Sequence, residues 1–205
     1  VRPPNRADPD EASVVVAADP LAPNTVAVDD GRRGRSFAFD HVFTGGQDEV
    51  FDTMGRPMVA EALEGFNVCL FAYGQTGSGK THSIQGGAGP DAEGLVPRFV
   101  REMFRSAQAR VDADADLTVK VSMSYLEVYM ERVRDLLAPR TRGQEPESLE
   151  LHEVNRRVVA KGASVHSVLG PERVLELMAT GNANRQTAET RMNEVSSRSH
   201  SIVQF

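Results

Sequence analysis

"LFAYGQTGSGKTHSIQG", residues 70–86, decides how the rest of the chain is read. Within it Gly74-Gln75-Thr76-Gly77-Ser78-Gly79-Lys80-Thr81 fits G-x-x-x-x-G-K-[ST] at every defined position. Each residue type has a physical task there. Glycines let the backbone turn with positive φ and bring successive N–H groups against phosphate oxygens without a Cβ in the way. A helix beginning after the loop adds free N–H groups and its positive dipole end. Lys80 is expected to reach the β- and γ-phosphates, and the Thr81 hydroxyl to ligate Mg²⁺. The bland alternative is a Gly/Ser-rich surface loop. A dinucleotide fingerprint does not compete, because "GSGKTH" lacks the third glycine.

The flanking sequence supplies the context a phosphate loop needs. "NVCLFAY" (67–73) is a nearly continuous apolar run, expected as a strand buried on both faces, with Cys69 an inert buried thiol. A helix is expected from near Gly79. Upstream, "SVVVAA" (13–18) and "SFAFDHVF" (36–43) read as strands, with "GRRGR" (31–35) a hairpin turn before the second. From Gln47 to Gly65 the residues Val50, Phe51, Met54, Met58, Ala62 and Phe66 recur at helical spacing; Pro57 should kink or divide that helix and Gly65 cap it. Downstream, "QGGAGPDAEG" (85–94) and "RTRGQEPES" (140–148) read as loops, and 95–110 as a helix. "LTVKVSMSYLEVYM" (117–130) alternates like a strand; "PERVLELMATGN" (171–182) is a helix opened by Pro171 and closed near Gly181; "SIVQF" (201–205) starts a strand. Strands alternating with helices predict an α/β domain with a central, mostly buried sheet.

Composition narrows the setting. The 205 residues carry a formal charge of −6, which argues against a general nucleic-acid coat while allowing a local basic patch. No apolar run approaches the roughly 20 residues that cross a bilayer, so no membrane contact is expected from this segment. One cysteine excludes an internal disulfide framework and fits a reducing, cytoplasmic address.

A second polar constellation, "MNEVSSRSHS" (192–201), precedes the last strand. Ser199 and His200 are adjacent on extended chain and face opposite ways, so they do not form a nucleophilic dyad. In a chain with a phosphate loop, a hydroxyl-rich run reads better as a sensor of the terminal phosphate.

"FAYGQTGSGKTH" followed about 110 residues later by "NEVSSRSHS" resembles the motor domain of the kinesin superfamily. "VRPPN" (1–5), "FDHVF", "GLVPR" (94–98), "SYLEVYMERVRDLL" and "LHE…VAKG" resemble further stretches of that domain, in the right order. The resemblance implies a P-loop NTPase-type three-layer α/β sandwich over 1–205, and an ATP- and Mg²⁺-dependent microtubule motor of the cytoplasm and cytoskeleton. It implies that Pro3 and His82 flank the adenine, and that Gly74, Gln75, Thr76, Gly77, Ser78, Gly79, Lys80 and Thr81 hold the phosphates. Asn193, Ser196 and Ser197 would form switch I, Ser197 with Thr81 at the metal, and Arg198 would pair with a glutamate of switch II. Tubulin's surface is acidic, so Arg156, Arg157 and Lys161 are candidate track contacts, against the plain reading of a solvated hairpin.

Two departures qualify the match. Met130 stands where the family usually has asparagine, and the first arginine of its R-x-R-P run is absent. No Asp-x-x-Gly-x-Glu sequence lies between the hydroxyl-rich run and Phe205, so the region is expected to be an incomplete motor domain. The switch II segment, main track-binding helix, neck and any coiled coil would then lie outside it. Alone, residues 1–205 are expected to fold poorly and hydrolyse ATP negligibly. The competing class is a non-hydrolysing tubulin-binding or scaffolding module. An unrelated P-loop GTPase is disfavoured by the lack of an Asn-Lys-x-Asp sequence, and a small-molecule kinase by the lack of an identifiable lid.

Overall fold

The computed structural model describes residues 16–19, 22–29, 34–87, 92–139, 147–192 and 199–205. Pro3, Asn193, Ser196, Ser197 and Arg198 lie outside the described residues, as do 31–33 of the expected hairpin turn. The chain divides into two compact units, Val1–Phe99 and Val100–Phe205.

The first unit opens with an antiparallel meander of β1 (Val16–Ala18), β2 (Thr25–Asp29) and β3 (Gly34–Ala38). β2 went unread in the sequence although Thr25, Val26 and Val28 are β-branched. The strand expected over 36–43 starts at Gly34 and stops at Ala38. Beyond it, Phe39 N–H donates to the Asn24 carbonyl at 2.9 Å and Val42 N–H to Asn24 Oδ1 at 3.2 Å, so one turn residue takes over from the ladder.

The helix expected over 47–65 is realised as α1 (Gln47–Val50), a π-helical turn (Phe51–Gly55) and α2 (Arg56–Leu63). Pro57 stands in the first turn of α2, directly after the π turn, so the helix is divided where expected. Its nitrogen has no hydrogen to give the Thr53 carbonyl, and the helix absorbs the loss in the wider π turn just before. Phe51 and Val59 are buried. Gly55 lets the Phe51 ring lie on the backbone: a Cβ there would stand 2.4 Å from Phe51 Cδ2. Gly65 ends the helix as expected, at φ +92°, with Gly65 N–H donating to Ala62 and Phe66 N–H to Glu61 in a Schellman motif.

The expectation for 67–73 is overturned. These residues form no strand, Cys69 is exposed, and Phe71 and Tyr73 are 79% and 94% exposed. A continuous apolar run becomes a buried strand only where neighbouring strands take up its N–H and C=O groups. Among the described residues none does.

After α3 (Lys80–Ile84), α4 (Leu95–Ala113) buries Val100, Met103 and Ala107 at helical spacing. The second unit is built on β4 (Val121–Tyr129), which starts later than the expected 117. It pairs antiparallel with β5 (Arg132–Asp135), β8 (His166–Val168) and β9 (Ser199–Gln204). β6 (Glu150–Val154) and β7 (Arg157–Lys161) make a separate exposed hairpin. The α/β class holds, but burial is concentrated in β4 and β5; β3, β6, β7 and most of β9 are exposed. Met130 and Glu131 join β4 to β5 with φ of 48° and 61°, the positive values a two-residue hairpin turn demands.

α5 (Pro171–Met192) begins at Pro171 as expected but runs ten residues past 182. Gly181 is therefore no terminator. It lies inside the helix against Tyr125 of β4, where a Cβ would stand 2.2 Å from Tyr125 Cδ1. No helix among the described residues is long and apolar enough to cross a membrane.

Candidate functional site

The glycine loop has the backbone its sequence demands. Gly74, Gly77 and Gly79 all take positive φ, at 154°, 81° and 96°, which side-chain-bearing residues adopt at a cost. Gly79 is the residue from which α3 starts. A Cβ on Gly74 would lie 2.5 Å from Ser78 Oγ, whereas one on Gly77 would meet nothing within 4 Å. Ser78 N–H donates to the Gln75 carbonyl at 3.2 Å and closes the turn. The Lys80 ammonium donates to the carbonyls of Gly74 at 2.7 Å and Gln75 at 2.6 Å, so it is held over its own loop by two neutral acceptors. Neutral carbonyls position that charge without cancelling it. The donor set fits a polyphosphate: a positively charged ammonium, fixed beside a loop whose glycines keep side chains away. Thr81, next on the helix, is exposed, as are Gln75 and Thr76.

His82, exposed on α3, is tied to α1. Gln47 Nε2 donates to the His82 carbonyl at 2.7 Å and lies 3.1 Å from His82 Nδ1. On the same helix Asp48 pairs with Arg98 of α4, whose Nε donates to the Glu93 carbonyl at 2.9 Å. Nothing in the sequence reading singled out Gln47. A polar residue at the head of a helix is ordinary, and only the fold brings it to residue 82.

In the second unit, the stretch on either side of the hydroxyl-rich run is anchored by a buried ion pair. Arg185 Nε on α5 donates to Glu127 Oε1 on β4 at 3.3 Å, and Arg185 Nη2 donates to Ser199 Oγ at 2.8 Å and to the Ser199 carbonyl at 3.2 Å. Glu127 is 1% exposed. Beside it the Tyr125 hydroxyl donates to Asn182 Oδ1 at 2.7 Å, and Asn184 Nδ2 donates to the Leu136 carbonyl at 2.7 Å. Burial pushes the Tyr125 phenol above its ordinary value, with the Glu127 charge adding to the rise and a hydrogen bond to Ser201 and the Arg185 charge opposing it. The sequence did carry a signal for Glu127. In "MSYLEVY" the alternation puts Met123, Tyr125, Glu127 and Tyr129 on one face, all buried, and a carboxylate there calls for a cation. His200 follows Ser199 on β9 and pairs in register with Val128, in keeping with the rejected dyad.

Of the three candidate track cations, Arg156 sits in the β6–β7 turn at φ +63°, Arg157 opposite Val154 at the tip, and Lys161 opposite Glu150 at the base. Arg157 and Lys161 share a face but stand about 13 Å apart along the strand. The tip is therefore the basic end, and Lys161 has an acidic cross-strand neighbour.

The family model for the kinesin motor domain matches residues 1–205. The chain is 41% identical over 185 residues to the kinesin heavy chain of Neurospora crassa, covering 88% of this chain and 19% of that one. To kinesin-like protein KIF27 of Mus musculus it is 42% identical over 187 residues, covering 88% and 13%. To the human kinesin-1 heavy chain it is 38% identical over 172 residues, covering 82% and 17%. Among solved structures, that of a fast kinesin superposes with a TM-score of 0.81 at 40% identity, covering 92% of this chain and 52% of that chain. The chain thus spans about half the length of the solved relative and a fifth or less of these curated ones.

Proposed function

The chain belongs to the kinesin motor-domain family, and from that premise we propose that it is the ATP-binding part of a microtubule motor. The observation that carries this reading is the loop itself: three positive-φ glycines and the Lys80 ammonium fixed at its rim by two carbonyls. Gly74 to Thr81 hold the polyphosphate, with Lys80 exchanging loop carbonyls for β- and γ-phosphate oxygens. Thr81 and Ser197 would be the residues to hold Mg²⁺, which would neutralise phosphate charge. Asn193, Ser196 and Ser197 order around the terminal phosphate, and Arg198 reaches for a glutamate of switch II. His82 and Pro3 flank the adenine. The basic hairpin tip at Arg156 and Arg157, with Lys161 behind, meets the acidic face of tubulin.

A second reading, a tubulin-binding module that does not hydrolyse ATP, is favoured by one observation. The segment leading into the loop is exposed and unpaired by any described strand, so the loop has a looser base than a ladder would give it. Calorimetric titration with Mg-ATP and steady-state turnover with and without polymerised tubulin separate the two. For the protein at full length, Lys80→Ala should weaken Mg-ATP binding by about 100-fold, the worth of two charge-assisted hydrogen bonds near 1.5 kcal/mol each. It should also abolish tubulin-stimulated turnover. Unchanged binding would refute the site. Tight binding without stimulated turnover would leave the second reading standing.

A further inference from the structure

We propose that Gln47 is a positioning residue for the base end of the nucleotide site, fixing the ring plane and tautomer of His82. The proposal rests on the reading of His82 as the adenine's neighbour.

The argument starts from the end of α3. A helix leaves its last carbonyls without intrahelical donors, and a five-residue helix has few others. The amide that would ordinarily close on the His82 carbonyl is that of Gly86. It turns instead to the Thr81 carbonyl at 3.3 Å, which the Gln85 amide also reaches at 2.8 Å. The His82 carbonyl is satisfied by Gln47 Nε2. A carbonyl oxygen only accepts, so the Gln47 amide must present its nitrogen there and not its oxygen. The same NH₂ group then has its second hydrogen for His82 Nδ1, 3.1 Å away. A ring nitrogen that accepts carries no hydrogen, so the imidazole proton sits on Nε2. One side-chain amide thereby sets the end of the phosphate helix, the orientation of the imidazole and its tautomer together.

Gln47 is itself well held. It is half-buried at the first position of α1, with Gly46 before it. Asp48 next to it pairs with Arg98, and Glu49 Oε2 accepts from Gly45 N–H at 2.9 Å. On the far side of the ring a Cβ at Gly87 would stand 3.8 Å from His82 Cδ2, so the imidazole lies between an amide that locks it and a residue with no side chain. A fixed ring offers a flat face to a base and an N–H donor at its edge, and its ordering cost is met before the nucleotide arrives.

The test uses the protein at full length and compares Mg-ATP with Mg-tripolyphosphate, which has the phosphates but no base. Gln47→Ala should weaken ATP binding about 5-fold, the worth of one ordinary hydrogen bond, and leave tripolyphosphate unchanged. His82→Ala should do the same or more, and the double variant should be no worse than His82→Ala alone. Nitrogen-15 spectra of the imidazole should show the Nε2–H form in the parent and a tautomer mixture in Gln47→Ala; a merely structural support would not produce that shift. If His82→Ala lowers ATP binding but Gln47→Ala does not, the role given to Gln47 is overturned and the adenine reading survives. If Gln47→Ala weakens ATP and tripolyphosphate equally, Gln47 only supports the loop, and the proposal fails. If His82→Ala leaves both affinities unchanged, the adenine reading falls and the role of Gln47 falls with it.

Discussion

Gly181→Ala tests the packing of α5 on β4, because two opposing effects meet there and the structure says which wins. In an ordinary helix interior alanine is favoured over glycine by about 1 kcal/mol. Here the added methyl carbon would stand 2.2 Å from Tyr125 Cδ1, 2.6 Å from Cε1 and 3.3 Å from Cγ, where comfortable carbon contacts are about 3.5–4.0 Å. The ring cannot swing aside cheaply. Tyr125 is 1% exposed, its strand is paired along both edges, and its hydroxyl is bonded to Asn182, the residue after Gly181. Overpacking costs about 1–3 kcal/mol, and forfeiting the Tyr125–Asn182 hydrogen bond about 1 kcal/mol more. After the helix gain is subtracted, the substitution should destabilise by about 1–3 kcal/mol. The assay is urea unfolding followed by circular dichroism, with a lowered midpoint at unchanged slope; a 2 kcal/mol loss would lower Tm by about 4–8 °C. In a Tyr125→Leu background, where the ring edge is gone, Gly181→Ala should turn neutral or stabilising. A raised midpoint for Gly181→Ala in the parent would refute the close approach.

Three further outcomes follow from the same geometry. Met130, 69% exposed at φ +48°, should be improved by asparagine, which tolerates the left-handed region better, with Met130→Asn raising stability by about 0.5–1 kcal/mol in urea titrations. Arg185→Ala leaves the Glu127 carboxylate buried without its cation and should cost about 3–5 kcal/mol, most of it regained when Glu127→Gln and Arg185→Met are combined; a single-variant loss under about 1 kcal/mol would show the pair to be solvated. Tyr125 has its folded pKa raised chiefly by burial, so the stability it contributes is whole below the ordinary value of 10.0. That contribution is lost as pH climbs through the folded value, and Tyr125→Phe should flatten this alkaline decline in urea midpoints.

What the sequence determined by itself was local chemistry and its identity. Gly74, Gly77 and Gly79 announce a backbone that must take positive φ, and Pro171 and Gly65 mark helix ends, because each requirement is met within a few residues. The motifs also sufficed to name the family. What only the tertiary structure decided is everything that depends on a distant partner. "NVCLFAY" reads as a buried strand, yet a strand is made by its neighbours' hydrogen-bonding groups, and the run itself cannot supply them. Gly181 reads as a helix end because glycine often is one; the structure spends it on room for Tyr125. Pro57 reads as a kink or division of its helix, and the fold decides its form, a π turn that absorbs the missing donor. Gln47, thirty-five residues from His82, carries no local sign of its role. Periodicity and motif report what a residue requires of its own backbone, while burial, ion pairing and side-chain orientation are set by which segments meet.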